Sequence, residues 1–143
     1  MAVQYRLTLA GDTSVEQIAA RAFPDPTERP MLSAYGSVLN ANLKDRHGFT
    51  VSLRSDRNGY FDAISDVGQW EWELDSYVNV GFWMSKDWNE NAVPNMVDIV
   101  DRLLTSGSED AAFTLDGNLL LLIRTNGVTT KHNRRWWDNY SLL

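Results

Sequence analysis

From Trp70 to Met84 the chain reads WEWELDSYVNVGFWM, and its even positions are large and apolar except for Ser76: Trp70, Trp72, Leu74, Val78, Val80, Phe82 and Met84. The odd positions begin Glu71, Glu73, Asp75. Strict alternation is the pattern of a strand with one buried and one wet face. Strands usually run about 3–10 residues, so the pattern predicts a bend or turn near Asp75-Ser76. It would divide a short WEWEL strand from a longer YVNVGFWM strand.

Similar reasoning places the other elements. In VQYRLTL, Val3, Tyr5, Leu7 and Leu9 share one face of a half-buried strand. Thr13-Ser14-Val15-Glu16 matches a capping box, and Val15, Ile18, Ala19, Ala22 and Phe23 follow at helical spacing until Pro24 and Pro26. Residues 25–36 read as a loop or irregular strand, and Ser37 to Leu43 as a strand with Val38 and Leu43 out of phase. Phe49, Val51 and Leu53 point inward on a strand. Asp56-Arg57-Asn58-Gly59 has the chemistry of a turn, which would return Tyr60 to Ser65 as the antiparallel partner.

Past a loop at Asp87 to Ala92, Val93, Met96, Val97, Val100, Leu103 and Leu104 form the apolar stripe of a helix. Pro94 suits its first turn and Gly107 its close. Ala111 to Leu115 and Asn118 to Arg124, joined by Asp116-Gly117, predict a hairpin. Its run Leu119 to Ile123 is apolar on both faces, as in a strand covered twice. The tail from Lys131, with Trp136, Trp137 and Tyr140, is the natural second cover. Strands outnumber helices and are joined by short turns. The expected fold is a single α+β domain over residues 1–143: a mostly antiparallel sheet of about six to seven strands with two helices on one face.

Composition narrows the function. Cysteine is absent, which excludes a disulfide scaffold, thiol catalysis and cysteine-ligated zinc. No apolar run nears the ~18 residues of a membrane span, and the first residues do not read as a signal peptide, so a cytoplasmic protein is expected. The net charge of −6 argues against nucleic acid and permits a basic protein partner. The charge is concentrated. Between Asn58 and Ser85 stand five acids (Asp62, Asp66, Glu71, Glu73, Asp75) and no lysine or arginine.

Catalytic chemistry has few candidates. His47 and His132 are the only imidazoles, and neither has the spacing of a triad or metal site; both read as exposed loop residues. Glu71 and Glu73, i and i+2 on a strand, share a face that Asp75 would extend. Such acids suit a solvated or aggregation-resistant strand, a partner-binding face, or metal and acid–base work. Trp70 and Trp72 fall in the core by phase, whereas Trp83 shares its face with Tyr77 and Asn79, and Trp88 has no assigned cover. Exposed aromatics beside acids are the makings of a protein-binding hot spot. The candidate partner-binding residues are therefore Asp62, Asp66, Glu71, Glu73, Asp75, Tyr77 and Trp83. No catalytic residue, metal ligand or cofactor is assigned. A small metal-dependent hydrolase and a self-associating structural protein remain alternatives.

Four stretches together carry a family resemblance: YRLTLAGDTSVEQIAARAF, HGFTVSLRSDRNGYFDA, WEWELDSYVNV and MVDIVDRLLTSGSEDAAFTLDGNLLLLIRTNG. The chain resembles bacterial immunity proteins of the swarming-inhibition toxin type, similar in size and acidity. The resemblance implies function by binding without catalysis. The partner would be a cognate toxin domain, in keeping with a basic surface, neutralised by occlusion in bacterial competition. Charge and the lack of a long apolar run lead us to expect no nucleic-acid or membrane partner, and the chain is expected to be a monomer or weak dimer.

Overall fold

A computed structural model describes residues 3–32, 38–85 and 91–139. Strand β1 (Gln4–Ala10) buries Tyr5, Leu7 and Leu9. Helix α1 (Val15–Ala22) follows, capped by Ser14. The capping box sits one residue later than expected, with Ser14 and Gln17 exchanging hydrogen bonds. Two short strands, β2 (Met31–Leu32) and β3 (Leu39–Leu43), precede the dominant feature. This is a hairpin of two 17-residue strands, β4 (Phe49–Ser65) and β5 (Gly68–Met84). Then come helix α2 (Ala92–Thr105), β6 (Ala111–Leu115), β7 (Leu119–Thr125), β8 (Val128–Lys131) and the short α3 (Arg134–Asn139).

The fold is α+β. Among the described residues the sheet has eight strands in the order β2-β3-β4-β5-β1-β6-β7-β8, with every neighbouring pair antiparallel. The sixth and seventh strands meet as expected at Asp116-Gly117, where φ values of 51° and 71° give the left-handed pair that a tight hairpin turn requires. The main core lies on one face. There Ile18, Ala19 and Ala22 of α1 and Met96, Val100 and Leu103 of α2 pack with Leu7, Val80 and Phe113. Fully burying the larger of these side chains, such as Ile18, Met96, Leu103 and Phe113, is worth about 1.5–3 kcal/mol each. Arg21 ties the two helices together, donating to the Leu103 carbonyl at 2.7 Å and to Glu109 at 2.6 Å. Gly107 leaves room for that ion pair, since a Cβ there would clash with the Arg21 guanidinium and the Glu109 carboxylate.

Two turn expectations are overturned. Residues 56–59 do not turn, and Asp75-Ser76 does not divide two strands. One register runs the length of the hairpin, from Phe49↔Met84 to Ser65↔Gly68, and the turn is Asp66-Val67. The sequence signals near residues 56–59 do mark an irregularity. Asn58 stands at φ 56°, and Asn58 and Asp75 are left out of the pairing. On the near side of this point the even residues of β5 face β1: Met84 donates its N–H to the Val3 carbonyl, and the Ser76 carbonyl accepts from Gly11. On the far side the phase is reversed. Ile64 donates to the Asn118 carbonyl, away from β5, so the odd residues of β4 and their even partners on β5 bond each other.

That reversal decides what the far half of the hairpin covers. Trp70 and Trp72 share even numbers with Val78 and Val80, yet they lie against the opposite face of the sheet. With Ala63 they pack on Ala112, Leu120 and Ile123. Among the described residues the second face of β7 is thus covered by the hairpin and not by the tail, which corrects the sequence expectation. Trp136 and Trp137 of α3 belong to the main core, beside Tyr5 and Phe113, and Trp137 donates to the Leu121 carbonyl at 2.8 Å. The far end of the hairpin is clasped by a parallel bridge, Ile64↔Leu119, and by Asn133, whose amide donates to the carbonyls of Ile64 and Leu120. Trp88 and Tyr140 lie outside the described residues.

Candidate functional site

The far half of the hairpin has an inner side, built on Ala63, Trp70 and Trp72, and an outer side that faces water. Register places Tyr60 opposite Glu73, Asp62 opposite Glu71 and Ile64 opposite Gln69. All six side chains are exposed. Of the expected residues, the structure therefore brings Asp62, Glu71 and Glu73 together, with exposed Asp75 at the phase reversal. Among the described residues none of these four is in an ion pair. Like charges directly opposite on a strand pair repel, so Asp62 and Glu71 are held together at an electrostatic cost.

Tyr60 partly relieves that cost by donating its hydroxyl to Glu71 at 2.8 Å. This hydrogen bond, followed by desolvation and the negative field of Glu71, Asp62 and Glu73, pushes the phenol up to about 12. Behind the face, a cavity of about 110 Å³ separates hairpin from sheet, lined among others by Arg6, Thr8, Asp62, Trp70 and Thr114. Arg6 shares this cavity with Asp62 and forms no ion pair with it.

The remaining candidates lie elsewhere. Asp66, in the turn, is engaged by His132 at 2.9 Å, and that hydrogen bond holds its carboxyl below the usual aspartate range. Tyr77 is half-buried, its ring edge-on to Phe61 with centroids 5.0 Å apart and close over Gly59. Trp83 is 42% exposed but belongs to the opposite end of β5, where it pairs with Gln4 and Thr50. Eight residues from Asp75, it is roughly 26 Å away along the strand.

The histidines were expected to be exposed, and neither is. His47 contacts Glu28 at 2.6 Å with its side chain 27% exposed, and His132 is 12% exposed. Each is occupied by a single carboxylate at a different part of the fold. Among the described residues no group of three or more histidines, cysteines, aspartates or glutamates is placed to hold a metal ion.

Sequence reasoning missed the apolar half of the outer face: Tyr60, Ile64 and, at the turn, Val67, which are 55%, 61% and 85% exposed. The available signal was the pairing of Tyr60 and Ile64 on even positions, opposite Phe61 and Ala63 in phase.

Residues 3–141 match the model of the SitI3-like family. No curated protein and no solved structure matches the chain. No helix among the described residues is long and apolar enough to cross a membrane.

Proposed function

The chain belongs to the SitI3-like family, and from that premise we propose that it is a non-catalytic immunity protein. SitI family names denote immunity proteins for toxins of swarming inhibition. On this reading the chain binds a cognate bacterial toxin domain in the cytoplasm and neutralises it by occlusion, acting as a monomer or weak dimer. The docking surface is the outer face of the far hairpin, Asp62, Glu71, Glu73 and Asp75 with Tyr60, Ile64 and Val67. Asp66 contributes by anchoring the turn, while Tyr77 supports the hairpin from within.

The observation that carries this reading is an acidic cluster with no ion pair among the described residues, beside exposed apolar side chains, on a hairpin clasped at its far end. Repulsion among these acids is relieved when a basic surface approaches. Complementary charge also raises association rates, toward ~10⁸–10⁹ M⁻¹s⁻¹ at low salt. Apolar side chains amid the charges supply the desolvated contacts that slow dissociation.

The test is a triple reversal, Glu71→Lys, Glu73→Lys and Asp75→Lys, assayed by surface plasmon resonance against the product of the adjacent gene. The association rate is expected to fall by roughly one to two orders of magnitude at low salt, and by less at high salt. An unchanged rate and affinity would remove the hairpin from the account.

A further inference from the structure

The hairpin that carries the acids is also an unfinished piece of sheet. The β1–β5 ladder runs between Tyr77 and Trp83, and beyond it toward the hairpin tip the last bond is from Gly11 to the Ser76 carbonyl. From Gly68 to Asp75 the outer edge of β5 has no neighbouring strand among the described residues. The hydrogen bonds at the far end show which backbone groups that edge presents. Ile64 donates its N–H to Asn118 at 2.8 Å and accepts at its carbonyl from Asn133 at 3.2 Å, so both groups point away from β5. In an antiparallel ladder both groups of a residue point the same way, and the direction alternates along the strand. Phe61, Ala63 and Ser65 therefore face β5, and their partners Trp72, Trp70 and Gly68 face β4. Gln69, Glu71 and Glu73 are left with their N–H and C=O groups directed outward.

We propose that this edge is completed by a strand of the toxin domain, an extended segment alternating basic and apolar residues. The proposal rests on the immunity reading and specifies how the docking occurs. The backbone of the incoming strand would pair with Gln69, Glu71 and Glu73. Its basic side chains would meet Glu71 and Glu73 on the outer face, where neither is in an ion pair among the described residues. Its apolar side chains, one residue out of phase, would extend the inner row of Trp70 and Trp72 over the sheet. Main-chain pairing gives such a complex its affinity and alternate side chains its specificity. A second copy of this chain is a poor occupant. It would set Glu71 and Glu73 against their own equivalents, and like charges across a strand pair repel.

The experiment compares Glu73→Pro with Glu73→Gln. Both remove the charge, but only proline removes the outward N–H. An outward position on an edge strand tolerates proline, because no ladder bond within the fold is lost. Binding is measured against the product of the adjacent gene, with backbone amide exchange followed on the unsubstituted complex. Glu73→Pro is expected to bind about tenfold more weakly than Glu73→Gln, and the amides of Gln69, Glu71 and Glu73 are expected to gain protection in the complex. Tight binding with those amides still exchanging freely would overturn strand addition and leave the immunity reading standing. No binding by the unsubstituted protein would overturn both. Protection of the same amides in the protein alone at high concentration would assign the edge to a second copy and overturn the proposal.

Discussion

Replacing Leu120 by alanine tests whether the far half of the hairpin is a packed cover or a loosely held flap. Leu120 is fully buried, and its surroundings are the hairpin residues Ala63, Trp70 and Trp72 together with Ala112 and Ile123. Truncation removes three carbons from a dry site, a transfer loss of about 2.4 kcal/mol at ~0.8 kcal/mol each. An unrelaxed cavity of about 60 Å³ would add ~1.4 kcal/mol at 24 cal/mol per Å³. The cover here has freedom to settle, because Trp70 and Trp72 are only half-buried, so roughly half of that term should remain. The expected destabilisation is about 3 kcal/mol in urea unfolding, or about 12 °C in Tm for a domain of this size. Leu121→Ala is the control. Leu121 faces the main core under Trp137, where less relaxation is available, and its loss should cost about 4 kcal/mol. A cost below about 1 kcal/mol for Leu120→Ala, with the control behaving as stated, would refute the claim that the hairpin seals the second face.

Two further outcomes concern the hairpin itself. Asn58 occupies the left-handed region, so Asn58→Gly should leave stability within about 0.5 kcal/mol, whereas Asn58→Val should lose about 1–2 kcal/mol; equal effects of the two in chemical denaturation would deny the backbone a role in the phase reversal. The Tyr60 phenol, raised to about 12 by its hydrogen bond to Glu71, should titrate near that value in the absorbance difference between the native chain and Tyr60→Phe, and fall toward 10 in Glu71→Gln. Because the folded value lies above the unfolded one, the bond's contribution to stability is present in full below pH 10 and disappears as the pH rises toward 12. A native midpoint at 10 would break the Tyr60–Glu71 link.

Much of the architecture was legible because it depends on local periodicity. The apolar stripe from Val93 to Leu104 recurs at helical spacing, and Asp116-Gly117 supplies the left-handed pair for a tight turn. The acidic half of the candidate site could be read for the same reason: Glu71 and Glu73 lie two apart on a strand and must share a face. The four residues at 56–59 misled because turn chemistry is a local preference. Here it was outweighed by a ladder in which β4 found its partner along the whole of β5. Its left-handed asparagine was kept, and serves as a swivel within a strand. The fates of His132 and Asp66 were not legible either. Their contact joins residues 66 apart in the chain, and no local pattern encodes such a pairing.

By itself the sequence determined the two longer helices and most of the strands, the alternation that makes one side of a strand apolar, and the excess of negative charge between Asn58 and Ser85. These follow from the period of side chains along a backbone and from composition. Only the tertiary structure decided which face each apolar row would cover. A single phase reversal at Asn58 sends Trp70 and Trp72 to the opposite side of the sheet from Val78 and Val80. It thereby turns Glu71 and Glu73 outward, beside an unpaired strand edge. Parity along a chain is a local quantity, but the side of the sheet to which it refers is set by how the strands twist and close on one another.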